Sequence, residues 1–307
     1  MNAQPGGQSG REDWGGPRLV VTADDFGAAI AVNEAVERAH VSGILTAASL
    51  MVAGDAAADA AERARRLPDL GVGLHVVLAE GRPVLPPEQV PALVSADGCF
   101  HADMVRTAFA IALSPAARAQ MREEVAAQFA AFAATGLRLD HVNAHKHFHM
   151  HPMIMSAILH EGRKHGMHAV RVPYSPDGAG FGAAVMRWWA GLLSRRLRAH
   201  GIATNDRVAG LAQTGAFDTA HMRAAIAALG PGLTEIYTHP ATVDDWAGAA
   251  PGYRYRDELA ALTDEGVRAA LAASGARSGP FALWDRSATP GASAPASSTP
   301  PTMSEVA

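Results

Sequence analysis

Cysteine is nearly absent: of 307 residues only Cys99 carries a thiol. No internal disulfide can form, which suits a reducing compartment, and a cytoplasmic location is expected. Long apolar runs are missing as well. No stretch reaches the ~18–20 apolar residues of a membrane-spanning helix, and the N-terminus shows no signal-peptide apolar core. Positive charge is not clustered beyond Arg195, Arg196 and Arg198, and the net charge is −4. No nucleic-acid partner is therefore expected. Neither a GxGxxG after the first strand candidate nor a phosphate-binding loop occurs.

The two ends lack core-forming residues. Residues 1–16 are polar and Gly-rich, and residues 287–307 read SATPGASAPASSTPPTMSEVA, so both are expected to be disordered. Residues 17–286 remain as one domain of roughly 270 residues, an ordinary size for a single α/β barrel.

Inside that domain, strand and helix candidates alternate about seven times. Strands are expected over 19–22, 45–52, 72–78, 137–142, 168–172, 207–212, 234–238 and 280–284. Helices are expected over 28–40, 56–67, 114–135, 152–166, 181–200, 218–229 and 257–274, with 80–115 an irregular loop that serves as a lid or small insertion. The rhythm points to parallel strands with helical crossovers. Asp24, Asp25, His145, Arg171 and His239 fall at or just past the ends of different strands, and His75 within a residue or two of one. Gathering chemistry from many strand ends is the habit of a barrel, whereas an open sheet concentrates it at one switch point. A (β/α) barrel is the expected fold.

The richest stretch is 139–152, LDHVNAHKHFHMHP. It holds His141, His145, His147, His149 and His151, five of the fourteen histidines. If it is extended, alternation places His145, His147 and His149 on one face, a pattern suited to a divalent metal. One carboxylate and two histidines leave open positions for water and substrate. Asp25, His75 and His145 would supply that set, His145 before His147 or His149. Asp24 would then take a proton from the attacking water, and His239 would give one to a leaving amine. Arg171 would hold a substrate oxygen or orient Asp24. His147 and His149 join Arg171 as candidate substrate contacts. Each residue also has a plainer explanation. Asp24 and Asp25 would cap the following helix, His75 would be a satisfied core histidine, and Arg171 a salt-bridge partner. Trp188 and Trp189 fit a helix packing on the barrel as well as a sugar-stacking face.

The residues VTADDFG (21–27), GLH (73–75), DHVNAHKHFH (140–149) and HPA (239–241) resemble the YdjC-like carbohydrate deacetylases, in order and spacing, over roughly 17–285. NAHKHFHMHP, RVPY (171–174), TNDRVAGL (204–211) and TEIYTHPA (234–241) most resemble the hopanoid-biosynthesis-associated branch, HpnK. The family resemblance implies a barrel of seven to eight parallel strands related to polysaccharide deacetylases. It implies hydrolysis of the N-acetyl group of an N-acetylglucosamine unit. It also implies one divalent metal, magnesium or zinc, on Asp25, His75 and His145, with Asp24 as base and His239 as acid. The branch implies an N-acetylated amino sugar carried on a glycolipid, a glycosylated hopanoid precursor. Peripheral membrane contact and a homodimer are possible consequences. Many members have Asp-Ser where this chain has Asn143 and Ala144, a lost carboxylate that would weaken support for the metal. Two other readings remain open: a metal-dependent phosphoesterase or amidohydrolase, whose barrels usually carry HxH on the first strand, and a non-catalytic sugar-binding protein.

Deleting residues 1–12 and 288–307 is expected to leave the melting temperature and turnover unchanged, because these ends carry too little apolar surface to offset their ordering. A truncated chain melting well below the intact one would contradict this.

Overall fold

The structure, a computed structural model, describes residues 15–175 and 180–284. The ends expected to be disordered lie outside the described residues, apart from Gly15 and Gly16.

The organising strand is β1 (Pro17–Phe26), buried at every position from Leu19 onward. A strand covered on both faces needs an apolar run rather than alternation, and Leu19, Val20 and Val21 provide it. β1 pairs in parallel with β2 (Ala47–Leu50) and with β6 (Gly232–Thr238). β3 (Gly71–Val76) and β4 (Val142–Ala144) extend one side and β5 (Arg207–Ala209) the other, giving the order β4-β3-β2-β1-β6-β5. A short β7 (Arg277–Ser278) pairs with the first residues of β1, before β2 begins.

The remaining gap, between β4 and β5, is bridged by segment 168–174. Val142 donates its N–H to the Ala169 carbonyl and accepts from Arg171 N–H, both at 3.0 Å, while Val208 N–H donates to the Tyr174 carbonyl at 2.7 Å. The Asn205 side chain grips both backbone groups of Val172 at 2.8 and 2.7 Å. The parallel sheet thus curls as a barrel sheet does, and the segment between β4 and β5 bridges its open side. Segment 168–172, expected as a strand, contributes isolated bridges only. A side-chain amide completes this seam where a regular ladder would otherwise stand.

Helices cover the outside: α1 (Ile30–Ser42), α2 (Ala57–Arg65), α3 (Met104–Leu113), α4 (Pro115–Ala134), α5 (Pro152–Lys164), α6 (Phe181–Ala199), α7 (Thr219–Ala227), α8 (Tyr255–Thr263) and α9 (Glu265–Ala273). Three expectations need correction. Segment 80–115 is not simply irregular, because α3 lies within it; Ser114 ends α3 and N-caps α4, with Pro115 at the first helical position. The helix expected over 257–274 is two, broken at Asp264, whose carboxylate accepts from Val267 N–H and restarts the chain as α9. The strand expected over 280–284 is a 3₁₀ turn, Phe281–Trp284, held by Asp140, which accepts the N–H groups of Phe281 and Ala282 at 3.1 and 2.8 Å.

The core between sheet and helices also carries polar anchors. On α4, fully buried Glu124 accepts from Val84 and Leu85 N–H, and Gln128 clasps both backbone groups of Val77. These bonds fix the chain leaving β3, the stretch that includes Glu80. Glu124→Ala leaves the two part-buried N–H groups of Val84 and Leu85 without their acceptor and should cost about 1–3 kcal/mol of stability. Amide exchange should rise first at Val84 and Leu85; unchanged exchange there would show that the tether is redundant.

Candidate metal and catalytic site

Because the strands are parallel, their C-terminal ends open on one face, and the polar residues meet there. At the end of β1 the register slips between Ala23 and Phe26, and Asp25 takes a left-handed φ of 63°. This breaks the pleat, so that neighbouring aspartates both reach the interior. Neither caps α1, whose N-cap Ala29 makes no side-chain bond. Among the described residues, four non-glycine positions have positive φ: Asp25, Glu80, Lys146 and His147. All four line one cavity of about 510 Å³, which is where stored backbone strain usually gathers.

His75 from β3 and His145 from the end of β4 converge on Asp25. Asp25 Oδ1 is 3.4 Å from His75 Nε2 and 3.2 Å from His145 Nδ1, and one ligand atom from each residue lies within 4.8 Å of the others. The residues fit a metal. His75 Nε2 is buried without a hydrogen-bond partner, while its Nδ1 lies 2.6 Å from Asn143 Oδ1. A bare ring nitrogen facing a carboxylate is unfavourable until a cation stands between them. Asn143 thus holds the His75 imidazole from behind.

Charges at the mouth are strongly coupled. Burial alone would lower His145, but the adjoining Asp25 carboxylate outweighs it and lifts the imidazole to about 9. Burial would likewise raise Asp25, yet His145 holds it well below the carboxylate range. Glu80 is drawn down to about 2 by His145 and by Lys146, with which it forms an ion pair across the rim.

Asp24 also borders the cavity, but its oxygens are engaged by a buried ion cluster. Arg171 Nη1 and Nη2 donate to its two oxygens at 2.5 and 3.0 Å, and Asn143 Nδ2 donates to Oδ1 at 3.1 Å. The guanidinium also reaches Glu235 on β6 at 2.7–2.8 Å. Burial works against the Asp24 carboxylate, but Arg171 overrides it and keeps it ionised far below the usual range. Arg171 is fully buried, so of its two expected roles only the orienting of Asp24 fits; a contact with substrate does not. His149 is corrected too. It is fully buried, bonded through Nε2 to the Arg171 carbonyl, and lowered to about 3 by burial and by Arg171. His147 does line the cavity. The stretch is not extended: it forms a 3₁₀ turn with Lys146 and His147 left-handed, so the three alternating histidines do not share a face.

His239, after β6, closes the opposite wall between the rings of Tyr237 and Tyr253, at 5.3 and 5.5 Å. Its backbone N–H donates to buried Glu258. Tyr237, Tyr253 and Tyr255 line the same wall. These tyrosines, Glu80, Lys146 and Asn143 were not singled out as individual site residues in the sequence. The signals were an acid just past the third strand, a tyrosine before His239, and the GYRY segment, all weak without the fold.

A family model described as "YdjC-like protein" matches residues 18–273. A carbohydrate deacetylase of Brevibacillus brevis is 37% identical over 142 residues, 46% of this chain; the chain spans about half (54%) of that relative. The human carbohydrate deacetylase is 32% identical over 286 residues, 84% of this chain and 88% of the relative. An Enterococcus faecalis crystal structure, provisionally described as a cellobiose-phosphate cleavage protein, shares the fold. Its TM-score is 0.71 at 23% identity, covering 88% of this chain and 99% of that one.

Arg171→Met removes the cation that joins Asp24 and Glu235 and should cost about 3–5 kcal/mol. The sign with pH follows from Asp24. Its depressed folded value adds stability above the unfolded value of about 3.9, lost as pH falls through that range. The variant lacks this depression, so its stability deficit against the wild type should be full at neutral pH and shrink as pH falls below about 4. Urea melts from pH 3 to 7 check both effects, and superimposable curves would remove the assigned role.

Proposed function

The chain belongs to the YdjC-like family, and we propose that it is a divalent-metal-dependent hydrolase removing the acetyl group from an N-acetylglucosamine unit. The observation that carries this reading is convergence. Asp25, His75 and His145 form a three-donor cluster on the same cavity that Asp24 and His239 face. In this reading the first three hold the metal. Two imidazoles and a carboxylate suit zinc, and magnesium is the other candidate. When bound, the ion supplies Lewis acidity to an amide carbonyl and lowers the pKa of water.

The chain's own groups account for the protons. Asp24, kept anionic by Arg171, offers an acceptor at the cavity floor. A carboxylate held so low is a weak base at rest; it takes the proton as the attacking oxygen bonds to carbon and turns strongly acidic. His239 faces the cavity from the other side and delivers a proton to the departing amine nitrogen, so that the C–N bond breaks to a neutral amine and acetate. Tyr237, Tyr253 and Tyr255 offer ring surface and hydroxyls suited to a sugar.

The finer reading is a glycolipid substrate, a glycosylated hopanoid precursor, met at a membrane surface from the cytoplasm. Its support is the branch-like motifs together with two exposed apolar stripes beside the histidine turn. Val105, Phe109 and Leu113 run along α3, and Phe181, Val185 and Trp188 along α6. His151 lies against the Ala108 backbone on α3, and Trp189 of α6 donates to the Met150 carbonyl, so both helices adjoin the turn. Among the described residues no helix is long and apolar enough to cross a membrane.

The test measures acetate release and metal content together, on free and lipid-linked N-acetylglucosaminides. The wild type should release acetate and free amine one to one, faster from the lipid-linked form. Asp25→Asn should lose metal and activity together. Asp24→Asn should keep its metal and its substrate affinity, yet turn over roughly 10²–10⁴-fold slower. Phosphate release without acetate would favour a phosphoesterase; metal retention with no turnover on any N-acetyl sugar would favour a sugar-binding protein.

A further inference from the structure

Behind the three candidate ligands the barrel interior holds an unbroken line of buried side chains. Asp140 Oδ2 lies 3.0 Å from His141 Nδ1. His141 Nε2 lies 3.0 Å from Ser49 Oγ on β2. Ser49 Oγ accepts from Asn143 Nδ2 at 2.8 Å, and Asn143 Oδ1 lies 2.6 Å from His75 Nδ1. Asp140 is 3% exposed and the other four 0–1%. The backbone is cut away to admit them: a Cβ on Gly73 would stand 2.5 Å from the His141 ring, and one on Gly71 2.7 Å from the Asp140 carboxylate. Asp, His and Ser in this order suggest a nucleophile, but Ser49 is fully buried and does not line the cavity.

The donor at each step is dictated from both ends. Asp140, ionised, only accepts, so a neutral His141 carries its proton on Nδ1 and leaves Nε2 as an acceptor. Ser49 must then give its single proton to His141 and accept from Asn143. Asp24 acts from the other end: as an acceptor it draws the second Asn143 N–H, which fixes the amide and turns Oδ1 toward His75. His75 can answer an acceptor at Nδ1 only by protonating that nitrogen. With a single proton on the ring, its Nε2 then faces Asp25 as a lone pair.

We propose that Asp140, His141 and Ser49 are positioning residues that transmit hydrogen-bond direction through Asn143 and lock His75 in its Nδ1–H tautomer. Calling His75 a metal ligand rests on the reading above; the tautomer does not. Asp140→Asn keeps the size but can offer an N–H to His141, which releases Ser49 from donating to His141 and leaves Asp24 alone to hold the Asn143 amide. Ser49→Ala cuts the line with a near-isosteric change, and Ser49→Thr restores the hydroxyl.

The experiment is ring-nitrogen NMR of histidine-labelled full-length protein, with and without Zn²⁺, alongside Zn²⁺ titration by calorimetry. In the wild type, His75 and His141 should both be protonated at Nδ1. In Asp140→Asn, His141 should move its proton to Nε2; in both Asp140→Asn and Ser49→Ala, His75 should populate both tautomers. Zn²⁺ affinity should fall by about 10–100-fold, and Ser49→Thr should recover it. A purely structural role would lower the melting temperature and leave the tautomers alone. Unchanged tautomers in folded Ser49→Ala, or a wild-type His75 protonated at Nε2, would overturn the proposal. A protein that binds no Zn²⁺ but shows the tautomer shifts would sink the metal reading and leave the relay standing.

Discussion

Arg171 lies wholly inside the barrel, with Asp24 on one side and Glu235 on the other. Desolvating such ions costs several kcal/mol each, and the cost is offset only because the guanidinium fork meets carboxylates on both sides. The three residues come from β1, from the seam segment and from β6, so the cluster ties the weakly laddered seam to the central pair of strands. It also gives Asp24 its defining property, a carboxylate that stays charged in a buried place. Tyr237 stacks over the same guanidinium at 5.2 Å, and His149 is bonded to its backbone carbonyl. The acid, the cation and the aromatic wall of the site are therefore one mechanical unit.

Around that unit the backbone is held in conformations it would not choose. Four left-handed non-glycine residues at about 1–3 kcal/mol each are tolerable only where the surroundings over-determine them. Here the restraints are identifiable. Glu124 and Gln128 pin the chain on either side of Glu80, and the turn at 145–150 is pinned through Met150 by Trp189. The strain positions side chains: Asp25 turns toward His75 and His145 while Asp24, one residue earlier, turns to Arg171. A regular strand would have sent one of the two away from the cavity.

Much of this was legible before any fold. The alternation of buried parallel strands with helices is a property of local periodicity, and β1, β3 and β6 lie where their apolar runs place them. Positions of Asp24, Asp25, His75, His145 and His239 at strand ends follow from the same periodicity. Errors fell where a single side chain overrides local pattern. Asp264 divides one helix in two, Asp140 pulls the last segment into a turn, and Asn205 stands in for a ladder rung. None of those captures leaves a mark in hydrophobic spacing.

The sequence by itself determined the kind of protein: parallel strands that gather polar ends on one face, and donor types suited to a divalent ion and proton transfer. Tertiary structure decided which histidine does what. His145 reaches Asp25, His147 lines the cavity, His149 is buried against a backbone carbonyl, and His141 faces Asp140 and Ser49. Alternation along an extended strand would have treated His145, His147 and His149 alike. Two left-handed residues in a tight turn redirect each ring separately, and backbone handedness at such positions is set by long-range contacts, not by neighbours in the chain.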